Sequence, residues 1–176
     1  TDSFYSGIRP AISVGLSVSR VGGSAQIKAM KQVAGTLRLD LAGYREKQAF
    51  AQFGSDLDEA TQFQLNHGAH MMELLKQKRF SALDVADQTI AIYAAKENYT
   101  DDLDLDNVVL FRDELATYMQ NHHDDLREAV RAGTISDATG RELEKAIGAF
   151  KKQFLADHPN RGVRPDLEAT AEISAR

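Results

Sequence analysis

The chain has 176 residues, 43% hydrophobic and 27% charged, which is enough for one or two domains with a core and excludes wholesale disorder. Its formal net charge of −5, from 21 basic and 26 acidic residues, argues against a nucleic-acid-binding domain, so we expect no nucleic-acid partner. Because the sequence has no cysteine, disulfides, thiolate metal sites and thiol nucleophiles are excluded.

The N-terminal stretch, residues 1–25, carries few charged residues and contains an alternating apolar pattern. From Ile12 to Val18, apolar residues alternate with small or polar ones, which is the period of a β-strand. A single strand cannot pair its edges alone. The sequence therefore predicts the end of a sheet-containing domain, and we expect the sequence to be a piece of a longer protein.

Between Pro10 and Pro159 the sequence contains no proline and is rich in alanine, which favours helices. We predict a mainly α fold, a bundle of about five helices preceded by the remnant strand of an α/β domain. The predicted helices, each opened by a capping residue, run from 24 to about 45 or beyond, from 55 towards 76, from 81 onward, from 106 to 133 and from about 136 to 157. The sequence has no run of about 18 apolar residues, so we expect no direct membrane insertion.

Asp102, Asp104 and Asp106 have the spacing that opens a calcium loop. Asn107 and Asp113, however, stand where such a loop needs glycine and usually glutamate. A helix cap at Asp106, within an acidic turn, is the better interpretation.

The remaining candidate motifs are incomplete. His67 with His70, and His122 with His123, match no zinc signature, so no metal site is predicted. The sequence contains neither a Gly-x-Ser-x-Gly elbow nor a Walker loop, Gly-x-x-x-x-Gly-Lys-Ser/Thr. The absence of these two motifs argues against a serine hydrolase and against triphosphate binding through a P-loop.

Arg20 follows the predicted strand and precedes Gly22-Gly23 and a predicted helix start. Ligands of open sheets bind outside the carboxyl ends of strands, and a guanidinium clamps phosphate oxygens. The placement therefore suits an arginine that reaches an anionic ligand, which a partner could hold. A solvated or structural arginine is the alternative on spacing alone.

Several segments resemble a known family. Gly-Ile-Arg-Pro-Ala-Ile at residues 7–12 and Val-Gly-Leu-Ser-Val-Ser-Arg-Val-Gly at 14–22 closely resemble the alpha subunits of F-type ATP synthases. The resemblance continues at residues 28–36, 49–58 and 73–77. It is dense over residues 5–77 and is limited to the helical pattern and scattered residues from about 80 to 155.

The resemblance implies three regions. Residues 1–26 are expected to end the nucleotide-binding domain, whose Walker loop and preceding β-barrel would lie upstream. Residues 27–155 are expected to form the C-terminal helical domain, which surrounds the central stalk with its neighbours. Residues 156–176 are expected to be a flexible C-terminal extension that many members lack. Local positive charge in and just before this extension, at Lys151, Lys152, Arg161 and Arg164, leaves a regulatory contact with the stalk and a disordered terminus as alternatives.

The resemblance also assigns roles to residues near the predicted strand. In the family, the arginine of Ser-Val-Ser-Arg-Val-Gly reaches into the beta subunit's catalytic site as an arginine finger, so this role falls to Arg20. Val18 lies on the same edge, where we expect packing. Asp56 and Asp58 lie in the turn that approaches the rotating gamma subunit. They are expected to cap a helix and, in addition, to contact the stalk.

A second set of residues matches the nucleotide of the family's non-catalytic site. Arg9 and Pro10 match the Arg-Pro beside this nucleotide, and Gln77 matches a glutamine from the loop after the Leu-Leu-Lys helix. Arg79 replaces a second glutamine that the family often has, so the adenine or ribose contact at this position is left open. The intact complex would bind ATP or ADP with Mg²⁺. We expect none bound to this fragment, because the phosphate contacts come from the upstream domain.

The function implied is that of a regulatory, non-catalytic nucleotide-binding subunit in a proton-translocating ATP synthase. Its expected partners are the beta subunit, the gamma subunit of the central stalk and other subunits of the complex. It would give the arginine finger and a helical collar around the stalk, without being an enzyme on its own. The expected location is peripheral, on the cytoplasmic face of a bacterial plasma membrane, with mitochondrial and chloroplast equivalents open. The alternative is a stand-alone helical interaction or assembly module with no role in phosphoryl transfer.

Overall fold

The structure is a computed structural model that describes residues 2–5, 7–12, 19–51 and 57–159. These residues are mainly helical, which confirms the predicted fold class. The described helices are α1 Asp2–Tyr5, α2 Arg20–Ala25, α3 Lys28–Ala34, α4 Leu37–Ala51, α5 Glu59–Leu74, α6 Val85–Lys96, α7 Leu105–His122, α8 Asp124–Ala132 and α9 Asp137–Asp157. The predicted strand falls mostly on residues 13–18, which lie outside the described residues.

Side-chain caps fix the starts of four described helices, among them α2, where the Ser19 hydroxyl accepts from the Gly22 amide. The Asp58 carboxylate accepts from the Thr61 amide at 2.6 Å, the Asp84 carboxylate caps α6, and the Ser136 hydroxyl caps α9. The predicted start at 136 is therefore right, whereas those at 55 and 81 are too early. The local Ser-x-x-Asp pattern misled the prediction because its aspartate, rather than its serine, is the capping residue.

Two predicted helices are interrupted. The segment 24–45 divides into parts of α2, α3 and α4, with an extended backbone at Ile27 and a break at Gly35. The segment 106–133 divides at His123, whose backbone (φ −142°, ψ 40°) ends α7 and starts α8. The start of α7 follows Asp104, so Asp106 lies in the first turn and is not the cap. Apolar periodicity continues across His123, so it could not reveal this break.

Helix α6 organises the core because it is buried on more than one side. Its Ile90 packs in a cluster with α7, α8 and α9, built around Phe111 and Phe154. Its Ala91 and Ile92 pack in a second cluster with α3, α4 and α5. The short alanine side chains of α6 allow close approach of helices from both clusters, which joins them into one bundle.

A buried ion pair ties α8 to α6. Arg127 is 7% exposed and donates from Nε and Nη2 to the two carboxylate oxygens of Asp87, at 2.7 and 3.0 Å. Its Nη1 donates to Asp124 at 2.6 Å. The hydrogen bonds to Asp87 are the main reason that the pKa of Arg127 is raised. Removing one partner of such a pair leaves a buried charge uncompensated.

No helix in the described ranges has both the length and the apolar character needed to cross a bilayer.

Helix α5 is joined to the segment before α7 by its polar side chains. The side-chain amide of Asn66 donates to the backbone carbonyl of Asp101 at 2.7 Å, and His67 Nδ1 lies 2.8 Å from the Asp101 carboxylate. His70 is fully buried, with its ring nitrogens 2.7 Å from the Asn66 carbonyl and 2.8 Å from the Leu103 carbonyl. Both histidines of this predicted pair therefore have structural hydrogen bonds.

Helix α4 packs against Gly68 of α5 through Tyr44. A Cβ atom at this position would lie 2.4 Å from Cδ2 of Tyr44, whereas one at Gly148 of α9 would meet nothing within 4 Å. We expect Gly68→Ala to lower the free energy of unfolding by about 1–3 kcal/mol, because the base of the tyrosine ring must move. Gly148→Ala is the matched control, with a gain of up to about 1 kcal/mol from helix propensity. Urea denaturation of the 176-residue chain measures both changes in stability, and equal shifts would contradict the close approach.

The His67–Asp101 pair predicts a pH dependence of stability. The hydrogen bond to Asp101 is the main cause of the raised pKa of His67, against the opposing effect of burial. A raised pKa in the folded state means that the protonated ring stabilises the fold. This stabilisation is complete below the unfolded-state pKa of about 6.5 and is lost as pH rises through the folded-state value. We expect His67→Gln and Asp101→Asn each to flatten the fall in stability between about pH 6 and pH 8. Urea midpoints measured across this pH range test the prediction. Parallel curves of midpoint against pH for wild type and His67→Gln would contradict it.

Candidate functional site

The largest described cleft lies between the N-terminal segment and the loop that follows α5. Its volume is about 780 Å³. It is lined by Phe4, Gly7, Arg9, Pro10, Ala11, Lys76, Gln77, Lys78, Arg79 and Val109. The structure therefore brings together the four residues predicted for nucleotide binding, Arg9, Pro10, Gln77 and Arg79.

A backbone hydrogen bond joins the two walls of the cleft. The Gln77 amide donates to the Arg9 carbonyl at 2.9 Å, which ties the N-terminal segment to the end of α5. The Arg9 guanidinium lies over the Phe4 ring, 4.6 Å from its centroid. This arrangement places the Arg9 side chain at the cleft wall by a cation–π contact, which leaves its hydrogen-bond donors available to a ligand.

Arg79 has a similar aromatic partner on the other wall. Its guanidinium lies 4.8 Å from the centroid of the Phe80 ring, and that ring is 93% exposed. The Phe80 backbone has φ 60°, in the left-handed region that non-glycine residues rarely adopt. Such strain concentrates at ligand clamps and switch regions, so it identifies this turn as a functional candidate.

The cleft is positively charged. Among its described lining residues, four side chains are basic and none is acidic. Glu73 neutralises Lys76 through a salt bridge, and the other three basic residues, Arg9, Lys78 and Arg79, also line the cleft. An apolar wall of Pro10, Ala11 and Val109 completes the site. Apolar walls with a few convergent polar groups are typical of small-molecule sites, and these groups suit an anionic ligand with a flat apolar part.

Arg20 is the first residue of α2, after Ser19, whose hydroxyl accepts from the Gly22 amide at 2.8 Å. The side chain of Arg20 lies outside the described part of the structure, as do Val18 and Asp56.

Asp58 caps α5, as the sequence predicted for this carboxylate. Its hydrogen bonds with Thr61, first through the side chain and then through the backbone, lower the pKa of Asp58. The carboxylate is therefore charged at neutral pH, where it offers its remaining lone pairs to solvent or to a partner.

The potential metal ligands have other partners. Asp102 accepts two hydrogen bonds from Lys151, at 2.6 and 2.7 Å, and His122 packs against the Tyr118 ring. Within the described ranges, no group of three or more histidine, aspartate or glutamate side chains is arranged to hold a metal ion.

Sequence reasoning missed several residues of the cleft. Phe4, Lys76, Lys78 and Val109 line it without having been predicted. The basic run from Lys76 to Arg79 is a signal that could have identified the lysines. Val109 had no such signal, because it lies on a helix whose apolar residues mostly pack in the core.

Comparisons with known proteins agree with the resemblance. The family described as ATP synthase alpha/beta chain, C terminal domain, matches residues 26–150. A protein named ATP synthase subunit alpha, from Limosilactobacillus fermentum (strain NBRC 3956 / LMG 18251), is 53% identical over 154 residues, or 87% of the present sequence. The sequence spans about 30% of the length of this curated relative. The predicted resemblance is thus confirmed, and the protein belongs to the family of C-terminal domains of ATP synthase alpha and beta subunits, as the C-terminal part of an alpha subunit.

Proposed function

We propose that this protein works within a proton-translocating F-type ATP synthase, where it forms the base-binding side of a non-catalytic nucleotide site. The observation that carries the proposal is the convergence of Arg9, Pro10, Gln77 and Arg79 on one basic cleft. The resemblance assigned the first three to this nucleotide and left Arg79 open. Their presence around one cleft supports the assignment and extends it to Arg79.

The residues of the cleft fit a nucleotide in a defined way. Pro10 and Val109 supply an apolar wall for the flat base, and the Gln77 side chain has both a donor and an acceptor for its edge. Arg79 offers donors alone, which suit ring nitrogens, ribose oxygens or phosphate. The described lining has no carboxylate for Mg²⁺, so we assign the metal and the phosphates to the Walker loop of the intact subunit.

We assign Arg20 as the arginine finger that acts in trans on the beta subunit's catalytic site. A guanidinium placed where negative charge develops stabilises the transition state, most strongly in a site shielded from water. The support is the match of Ser-Val-Ser-Arg-Val-Gly and the position of Arg20 at the start of α2. In this assignment the protein completes the beta subunit's site and performs no phosphoryl transfer alone.

The helical domain, residues 27–155, is proposed as part of the collar around the gamma subunit. Phe50, near the end of α4, is 69% exposed, and Phe63, near the start of α5, is 54% exposed. Exposed aromatic side chains near the end of one helix and the start of the next are typical of a contact surface. Together with the charged Asp58, they support a stalk contact at this end of the bundle. The complex would be peripheral, on the cytoplasmic face of a bacterial membrane.

The same exposed side chains favour the second candidate, an assembly module in which Arg20 has no catalytic part. The two functions differ in the expected effect of Arg20→Lys in the intact complex. Lysine keeps the charge but loses the planar fork that clamps phosphate oxygens. The finger assignment predicts a fall in turnover of about a thousandfold with normal assembly. ATP hydrolysis rates and gel filtration measure the two effects. Near-normal turnover in an assembled complex would overturn the finger assignment, and loss of assembly would favour the module.

The nucleotide site predicts weak ADP binding by the protein itself, with a Kd on the order of 1 mM, because the phosphate contacts are missing. Arg9→Met should weaken this binding at least about fivefold, since it removes a charge-assisted donor from the cleft. Arg141→Met, on the exposed face of α9, is the matched control and should bind as wild type does. NMR titration that follows the amides of Gln77 and Val109 gives the affinities. Equal binding by both variants would contradict the site.

A further inference from the structure

Arg112 is a buried charged residue that lies behind the cleft. It belongs to α7, is 6% exposed, and lines a cavity of about 90 Å³ that Gln77 also lines. It is not among the residues that line the cleft itself. We propose that Arg112 is a positioning residue, which fixes the loop that carries Gln77 and thereby sets the nucleotide affinity. This inference rests on the proposed nucleotide site.

The guanidinium of Arg112 bonds to the end of α5. Its Nη1 donates to the Leu74 carbonyl at 2.8 Å and also to the Lys76 carbonyl. The last carbonyls of a helix have no partners within the helix, and a buried arginine can satisfy them. Arg112 therefore holds the two residues that flank the helix end, and Gln77 follows directly.

A second set of hydrogen bonds fixes the guanidinium. Its Nε and Nη2 donate to one carboxylate oxygen of Asp113, at 2.9 and 2.7 Å. Asp113 is 46% exposed, so it can be changed without opening the core. With one edge of the fork on Asp113, the remaining nitrogen is aimed at the two carbonyls, an arrangement that the single ammonium of a lysine cannot reproduce.

The hydrogen bonds of Arg112 affect the cleft through one further hydrogen bond, from the backbone amide of Gln77. The Gln77 amide donates to the Arg9 carbonyl, so a shift at the end of α5 moves Gln77 and its bond to the opposite wall. Without Arg112, two carbonyls beside a buried helix end would lose their donor, and the loop would rearrange to reach water. The cleft would then lose the geometry that places Gln77 beside a ligand.

The experiment compares variants of the 176-residue chain by two readouts, hydrogen exchange at the Gln77 amide and NMR titration with ADP. Arg112→Met removes the donors but keeps the side-chain length. Arg127→Met is the matched control, because it removes another well-paired buried arginine, on α8 and outside the cleft. Arg112→Lys and Asp113→Asn are milder changes that remain informative if Arg112→Met does not fold.

We expect Arg112→Met to speed Gln77 exchange and to weaken ADP binding, each by about tenfold. Arg112→Lys and Asp113→Asn should give smaller changes in the same direction, and Arg127→Met should leave both readouts near wild type. Faster exchange in the Arg112 and Asp113 variants, with no ADP binding even by wild type, would support the positioning role and overturn the nucleotide site. Equal effects of Arg127→Met and Arg112→Met, or unchanged Gln77 exchange in all Arg112 and Asp113 variants, would overturn the positioning role.

Discussion

The cleft exists where it does because helix α5 ends against α7 and the backbone then meets the N-terminal segment. Two hydrogen-bonded contacts define this point: Arg112 to the carbonyls of Leu74 and Lys76, and the Gln77 amide to the Arg9 carbonyl. The first satisfies the helix end, and the second closes the gap between segments far apart in the sequence. Gln77 directly follows Lys76, whose carbonyl accepts from Arg112. The position of the cleft wall that carries Gln77 therefore depends on how α5 ends.

The rest of the bundle supports this end of α5 by packing and by polar contacts. Met71 and Leu74 are buried against α6, while His70 reaches the Leu103 carbonyl on its other side. Gly68 allows α4 to approach at the distance that a side chain would prevent. A helix held on three sides has little freedom to rotate, so the loop at its end has a defined direction. The packing of the core around α5 therefore determines the geometry of the cleft.

The sequence predicted the parts of this arrangement that local chemistry or family resemblance determines. The lack of proline and the apolar stripes were sufficient for the helical fold, and the resemblance identified Arg9 and Gln77 although they are distant in sequence. The break at His123 could not be predicted, because the apolar pattern runs through it and tertiary packing decides where the helix turns. The burial of Arg112 was equally hidden, since an arginine beside Phe111 on a helix normally lies in solvent.

The charge of the cleft is opposite to the charge of the whole protein. The full sequence is acidic, with a net charge of −5, yet the described lining of its cleft has basic side chains alone among the charged types. Net charge governs encounters with large polyanions, because their field extends over the whole surface. A small anion responds to the few charges within a Debye length, about 8 Å at physiological salt. An acidic domain can therefore be unsuited to nucleic acid and still bind a nucleotide, provided that the basic run from Lys76 to Arg79 is held beside Arg9.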